Sequence, residues 1–215
     1  MIKIAPSILA ADLLKIEDEV TNVDHAGAEY IHIDIMDGHY VPNISFGPNM
    51  VKNIREVTKK ILDVHLMISP VEPYIQEFIK SGSDIISFHP ETADNPKEVI
   101  KNIKKEGCKT GIAIHPNVKV EGIVDFLNDI DLVIIMTVIP GFGGQKFLND
   151  QIYKIHKLKE LRKSLKLNFE IEIDGGINKE TSKICIDNGA DVLVAGSYIY
   201  NSPVQDYKKL IDSIR

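Results

Sequence analysis

An imidazole and a carboxylate two residues apart, His32 and Asp34, sit within Tyr30-Ile31-His32-Ile33-Asp34-Ile35-Met36-Asp37-Gly38. At period two, Ile31, Ile33 and Ile35 fall on one face of a strand, and His32, Asp34 and Met36 on the other. Side chains two apart on a strand point the same way, about 6–7 Å apart, which is near enough to grip one metal ion. The same pattern also fits an edge strand with two solvated polar residues. The rest of the chain has to decide between them.

Other strand-like segments end on polar groups too: Ser7; Asp63 and His65; Ser87 and His89; His115; Thr137; Glu170, Glu172 and Asp174; and Ser197 after Gly196. Of these, His32, Asp34, His65 and Asp174 form a candidate site for one divalent metal ion. Two neutral imidazoles and two carboxylates suit Zn²⁺, Fe²⁺, Mn²⁺ or Co²⁺; Zn²⁺ is the leading expectation, although the ligand types alone do not choose. Glycines form a second group: Pro140-Gly141-Phe142-Gly143-Gly144-Gln145, Asp174-Gly175-Gly176 and Ala195-Gly196-Ser197. Glycine lets backbone N–H groups approach an anion closely, so three such loops late in the chain favour a phosphate. Gly141–Gly144 is not a nucleotide P-loop, because no Gly-Lys-Ser/Thr ending follows. Met36, Met67 and Met136, all at strand ends, read either as core filling or as an apolar cover over a site.

The elements that must position these groups alternate strand and helix along the whole length. Strands are expected at Ile2–Leu9, Tyr30–Met36, Ile61–Ile68, Asp84–His89, Thr110–His115, Asp131–Val138, Phe169–Asp174 and Asp191–Ala195. Helices are expected near Asp12–His25, Asn49–Thr58, from Glu72-Pro73, Pro96–Glu106, Val120–Asn128, Asn149–Leu165, Lys179–Asn188 and Val204–Ile214. Eight units in 215 residues imply parallel crossovers and a single (β/α)8 TIM barrel over residues 1–215, with an open doubly wound sheet as the runner-up. A barrel of this kind carries its site at the C-terminal ends of its strands, where the polar residues lie.

Composition narrows the function class. A net charge of −6 with scattered Lys and Arg argues against nucleic acid or an anionic membrane as partner. No apolar run approaches the ~20 residues that span a bilayer, and Met1–Ser7 reads as a strand rather than a signal peptide. Cys108 and Cys185 have neither metal nor redox spacing and read as reduced thiols. A cytoplasmic protein is expected.

Taken in order, several motifs resemble the ribulose-phosphate 3-epimerase family. They are Ala5-Pro6-Ser7-Ile8-Leu9-Ala10-Ala11-Asp12, His32–Gly38, Asp63-Val64-His65-Leu66-Met67, Met136-Thr137-Val138 through Gln145, and Asp174-Gly175-Gly176-Ile177. The resemblance implies a (β/α)8 barrel acting on a small ketose phosphate, and a homo-oligomer. It implies His32, Asp34, His65 and Asp174 as metal ligands, with Asp34 and Asp174 also the catalytic acid–base pair. By the same resemblance Ser7, His65, Gly141, Phe142, Gly143, Gly144, Asp174, Gly175, Gly176, Gly196 and Ser197 contact substrate. His89-Pro90-Glu91 looks closer to the sibling allulose-6-phosphate 3-epimerases, which makes a hexulose phosphate the alternative substrate. His115 and Ile139 also depart from the family pattern. Sugar-phosphate decarboxylases on this barrel typically carry Asp-x-Lys-x-x-Asp, and here Met36 follows Asp34 where that lysine would be.

Overall fold

All seven residues of β2 (Tyr30–Met36) are buried, so its alternation sorts outer face from inner face and not core from solvent. Ile31, Ile33 and Ile35 join the large core cluster between sheet and helices. His32, Asp34 and Met36 point into a barrel. The computed structural model describes residues 1–215. The other strands are β1 (Lys3–Pro6), β3 (Ile61–Met67), β4 (Ile85–Phe88), β5 (Lys109–Ile114), β6 (Leu132–Met136), β7 (Glu170–Asp174) and β8 (Val192–Ala195). All pair in parallel, in the order β1-β8-β7-β6-β5-β4-β3-β2. The two ends of the sheet meet at a parallel bridge between Ser7 and His32. Below it the Glu29 amide donates to the Ile4 carbonyl. This is the (β/α)8 barrel that the strand–helix alternation implied.

The outer layer consists of α1 (Ile16–His25), α2 (Pro48–Val57), α3 (Ile75–Lys80), α4 (Pro96–Lys105), α5 (Ile152–Ser164), α6 (Lys179–Asn188), α7 (Ser197–Tyr200) and α8 (Tyr207–Ser213). Local signals start several of them. Asn95 caps α4 by accepting from the Glu98 amide, and Asn178 and Thr181 form a reciprocal capping box on α6, each satisfying orphan amides of the first turn. No helix is long and apolar enough to cross a membrane.

Two expected elements differ, and one unexpected helix is present. The unit after β5 is a 3-10 helix, Val120–Phe126, and not an α-helix. Gly122 and the β-branched Val120, Ile123 and Val124 weaken α-helix here, leaving tight turns. The first strand stops at Pro6, because the Ser7 side chain accepts from the Leu9 amide and turns Ile8–Ala10 into a 3-10 helix. The short α7 after Gly196 lies where no helix was expected.

Inside the barrel the side chains divide by strand. Ala5, Ile85, Ala113, Leu132, Ile134, Val192 and Val194 form an apolar cluster from β1, β4, β5, β6 and β8. The buried ionisable strand residues come from β2, β3 and β7. At the base, the Tyr30 hydroxyl donates to Glu170 at 2.7 Å, and Lys3 pairs with the same carboxylate.

Candidate active site

Above that base, four donor side chains converge. His32 Nε2 lies 3.3 Å from Asp34 Oδ1 and 3.8 Å from Asp174 Oδ2. His65 Nδ1 lies 3.4 Å and 3.7 Å from the same two oxygens. One atom from each residue falls within 4.8 Å of all the others. Donors held ~2.1 Å from a tetrahedral ion would sit about 3.4 Å apart, so the spacing fits one divalent ion. His32 Nε2 and His65 Nδ1 are buried with no hydrogen-bond partner in the protein, an arrangement that folded proteins rarely leave unsatisfied.

Electrostatics agrees. Burial disfavours a charged imidazole at His32, but Asp34 and Asp63 outweigh it and raise its pKa well above the ordinary value. Burial likewise opposes a charge on His65, yet the facing carboxylates of Asp174 and Asp34 bring it up to about 9. Burial also pushes Asp34 up, and the two imidazoles beside it more than reverse that, holding it well below the usual carboxylate range. His32, His65 and Asp34 are thus arranged to attract positive charge to one point.

The backs of these donors are tied. His32 Nδ1 lies 2.6 Å from Asp63 Oδ2, and Glu172 Oε1 is 3.3 Å from the same nitrogen. His65 Nε2 faces His89 Nε2 at 3.1 Å. Ser7 Oγ donates to Asp34 Oδ2 at 2.6 Å. Ser45, from the loop after β2, donates to the Asp34 carbonyl at 2.5 Å and accepts from the Met36 amide at 3.0 Å, which fixes the backbone where β2 ends.

Over the donors opens a cleft lined by residues from the strand ends and the loops that follow them. Ser7, Asp34, Met36, Met67, Met136, Gly141, Phe142, Gly143, Gly144, Asp174, Gly175, Gly176, Gly196 and Ser197 all line it. His32 and His65 lie fully buried at its floor. The structure therefore gathers the four candidate donors, the three glycine loops, Ser7 and the three methionines into one place. The three methionines are nearly fully buried and form its walls. His115 is not part of it; its ring bonds to Asn117 on the surface.

The glycine loops are shaped by contact. The Thr137 hydroxyl donates to the Asp174 and Gly175 carbonyls at 3.0 and 2.6 Å, clamping the loop after β7 beneath that after β6. Gly175 has φ +122, and a Cβ there would lie 2.6 Å from Val138 Cγ2; at Gly176 it would lie 2.7 Å from the Phe147 amide nitrogen. Only glycine fits both the fold of this turn and its crowding. By contrast Gly143 and Gly144 have open space around them, and Phe142 beside them is exposed. Asn43 Nδ2 donates to the Gly141 carbonyl at 2.7 Å, and Gln145 Nε2 to the Ile139 and Phe142 carbonyls.

Sequence reasoning placed Asp63 and His89 at strand ends but assigned neither to the site. Period-two alternation would have found Asp63, which shares the inward face of β3 with His65. Ser45 carries no comparable signal, since only the fold brings its loop back to β2.

A family model, described as the ribulose-phosphate 3 epimerase family, matches residues 3–200. That span includes all four donors and the three glycine loops. The chain belongs to this family. A ribulose-phosphate 3-epimerase of Bacillus subtilis is 47% identical, covering 100% of this chain and 99% of the relative. One from Escherichia coli K12 is 37% identical over 99% of this chain and 94% of the relative. Membership of the ribulose-phosphate 3-epimerase family makes the chain an isomerase. Among solved structures, a 3-keto-L-gulonate-6-phosphate decarboxylase from Vibrio cholerae superposes with a TM-score of 0.73 at 14% identity, covering 100% of this chain and 95% of that one. A tryptophan synthase complex from Pyrococcus furiosus gives 0.72 at 15%, covering 99% and 96%. Both likenesses concern the barrel alone.

Proposed function

We propose that this protein interconverts D-ribulose 5-phosphate and D-xylulose 5-phosphate by inverting carbon 3, using one divalent metal ion, Zn²⁺ in the first instance, held by His32, Asp34, His65 and Asp174. The observation that carries the reading is the convergence of four buried donors at the floor of a cleft rimmed by three glycine loops. The carbon-3 hydrogen of a 2-ketose is acidified by the neighbouring carbonyl. A divalent ion in this donor set supplies Lewis-acid stabilisation of negative charge on the substrate oxygens.

Inversion needs one group to take a proton from one face and another to return one to the opposite face. Asp34 on β2 and Asp174 on β7 are separated around the barrel by β1 and β8 on one side and β3 to β6 on the other. They can therefore flank a substrate lying over the donors. Asp34, held ionised by its imidazole neighbours, accepts a proton in one direction of reaction and Asp174 in the other. Between the two transfers the substrate is an enediolate. Gly143, Gly144, Gly175, Gly176, Gly196 and Ser197 would hold the phosphate, with Gly141 and Phe142 closing one side. That grip sets which carbon lies between the two carboxylates. Met36, Met67 and Met136 keep the walls apolar, which strengthens the electrostatic interactions inside.

The test is turnover of ribulose 5-phosphate in D₂O. Deuterium is expected at carbon 3 of xylulose 5-phosphate, and unlabelled product would eliminate the proton-exchange route. Asp34→Asn is expected to lower turnover by about 10²–10⁴-fold with the fold retained. Faster turnover of allulose 6-phosphate than of ribulose 5-phosphate would move the assignment to the hexulose substrate.

A further inference from the structure

The two ligand imidazoles are presented through opposite nitrogens. His32 turns Nε2 to the carboxylates and Nδ1 to Asp63. His65 turns Nδ1 to the carboxylates and Nε2 to His89. A carboxylate behind a metal-ligating histidine is a common orienting device. An imidazole in that position poses a sharper question. Two ring nitrogens facing each other at 3.1 Å hold one proton between them, since one must donate and the other accept.

We infer that His89 is a positioning residue for His65: its Nε2 accepts the Nε2 proton of His65 and so keeps the His65 Nδ1 lone pair aimed at Asp34 and Asp174. The inference rests on the metal reading above. The opposite arrangement, with His89 donating, would put the His65 proton on Nδ1 and leave no lone pair facing the cluster.

The surroundings of His89 suit the role. Its ring is fully buried, with the ring centroids of His65 and Tyr40 5.1 and 4.9 Å away. Close packing of a fully buried ring hinders it from turning its nitrogens elsewhere. The Tyr40 ring is itself anchored, its hydroxyl donating to Glu91 Oε1 at 2.9 Å. The backbone at His89 is fixed by the Thr92 hydroxyl and amide, both donating to the His89 carbonyl. With Nε2 accepting, the remaining proton of His89 sits on Nδ1. That atom has no hydrogen-bond partner, and Glu91 Oε1 faces it at 3.8 Å. Glu91 thus draws the His89 proton to the side away from His65, and Tyr40 holds Glu91 in place. The line of side chains Tyr40, Glu91 and His89 thus sets the tautomer of one ligand.

The test uses the full-length protein loaded with Zn²⁺. Imidazole ¹⁵N–¹H correlation spectra of the wild type are expected to show His65 protonated at Nε2 and His89 protonated at Nδ1. A proton on His89 Nε2 overturns the inference, and this measurement needs no variant. Chelator competition gives a second readout. His89→Leu is expected to weaken Zn²⁺ binding by about 10–100-fold. His89→Gln, whose side-chain oxygen can accept the same proton, should stay within about threefold of wild type. Wild-type affinity in His89→Leu, or a His89→Gln as weak as His89→Leu, overturns it. A wild-type protein that takes up no Zn²⁺ overturns the metal reading itself, which separates the two failures.

Discussion

Ser7 Oγ donates to Asp34 Oδ2 at 2.6 Å across the seam where β1 meets β2. The bond occupies one oxygen of Asp34 and leaves Oδ1 facing His32 and His65. The family resemblance assigns Ser7 to substrate; its position in the structure gives it a second use, orienting a carboxylate. Ser7→Ala is therefore expected to reduce kcat/KM for ribulose 5-phosphate by about 10–100-fold, as loss of an outer partner of a metal ligand typically does. Thermal unfolding should shift little. Steady-state kinetics beside a melting curve checks both, and unchanged kcat/KM would leave Ser7 with no orienting role.

Removing metal should act on activity and stability together. After exhaustive chelation, turnover is expected to vanish and to return when Zn²⁺ is added back. An ion that binds only the folded state at about 100 times its Kd adds about 2.7 kcal/mol. For a chain of this size that corresponds to a rise in Tm of roughly 5–10 °C. Calorimetry with and without Zn²⁺ measures it. Full turnover in protein shown by elemental analysis to be metal-free would contradict the proposed chemistry.

Asp37 gives a pH dependence independent of the metal. Slight burial works to raise its pKa, but the backbone amides of Ser69, His39 and Tyr40 outweigh that and lower it below the ordinary 3.8. Each of the three donates to it at 2.8 Å. A carboxylate with a depressed folded-state pKa contributes stability that is present above its unfolded value. The contribution fades as pH falls through the folded value. Asp37→Asn should thus cost about 1 kcal/mol at neutral pH, kept small because solvent reaches the group. The difference from wild type should shrink below about pH 4. Urea titrations across pH 2.5–7 test this, and a gap that widens on acidification would reverse the assigned sign.

Burial pushes the thiols of Cys108 and Cys185 up to about 12. Thiolate is the reactive form, so neither should react with a disulfide reagent in the native protein at neutral pH. Both should react in denaturant. Rapid labelling of the native protein, followed by mass spectrometry, would show that one of them is exposed by local opening.

The repeating strand–helix pattern was legible because each strand carries a run of Ile, Val and Leu on its outer face, and the helices follow at regular intervals. In β2, β3 and β7 the alternation also revealed which residues point inward, and with them the four donors. It was least informative where both faces of a strand are apolar, as in Leu132–Met136, since periodicity then gives no direction. The 3-10 helix after β5 was missed because apolar spacing does not distinguish a tight turn from an α-helix, whereas Gly122 and its branched neighbours did carry that signal. The partners behind the donors were harder to find. Asp63 and His89 are ordinary strand-end residues until β2, β3 and β4 are laid side by side in register, which puts Asp63 beside His32 and Ser87 beside His65. Ser45 depends on the path of one loop, which no short pattern encodes.

The pairing of β1 with β8, in which Lys3 lies beside Val192, has a consequence for the order of assembly. The first strand to leave the ribosome waits for the last before its outer neighbour exists. Asp174 on β7 also arrives late, so a nascent chain lacking β7 carries three of the four donors. The complete set of four donors therefore forms only once β7 has been added. A half-built barrel can gather His32, Asp34 and His65, but it has neither Asp174 nor the glycine loops after β7 and β8. The order of the strands in the chain thereby ties completion of the site to completion of the barrel.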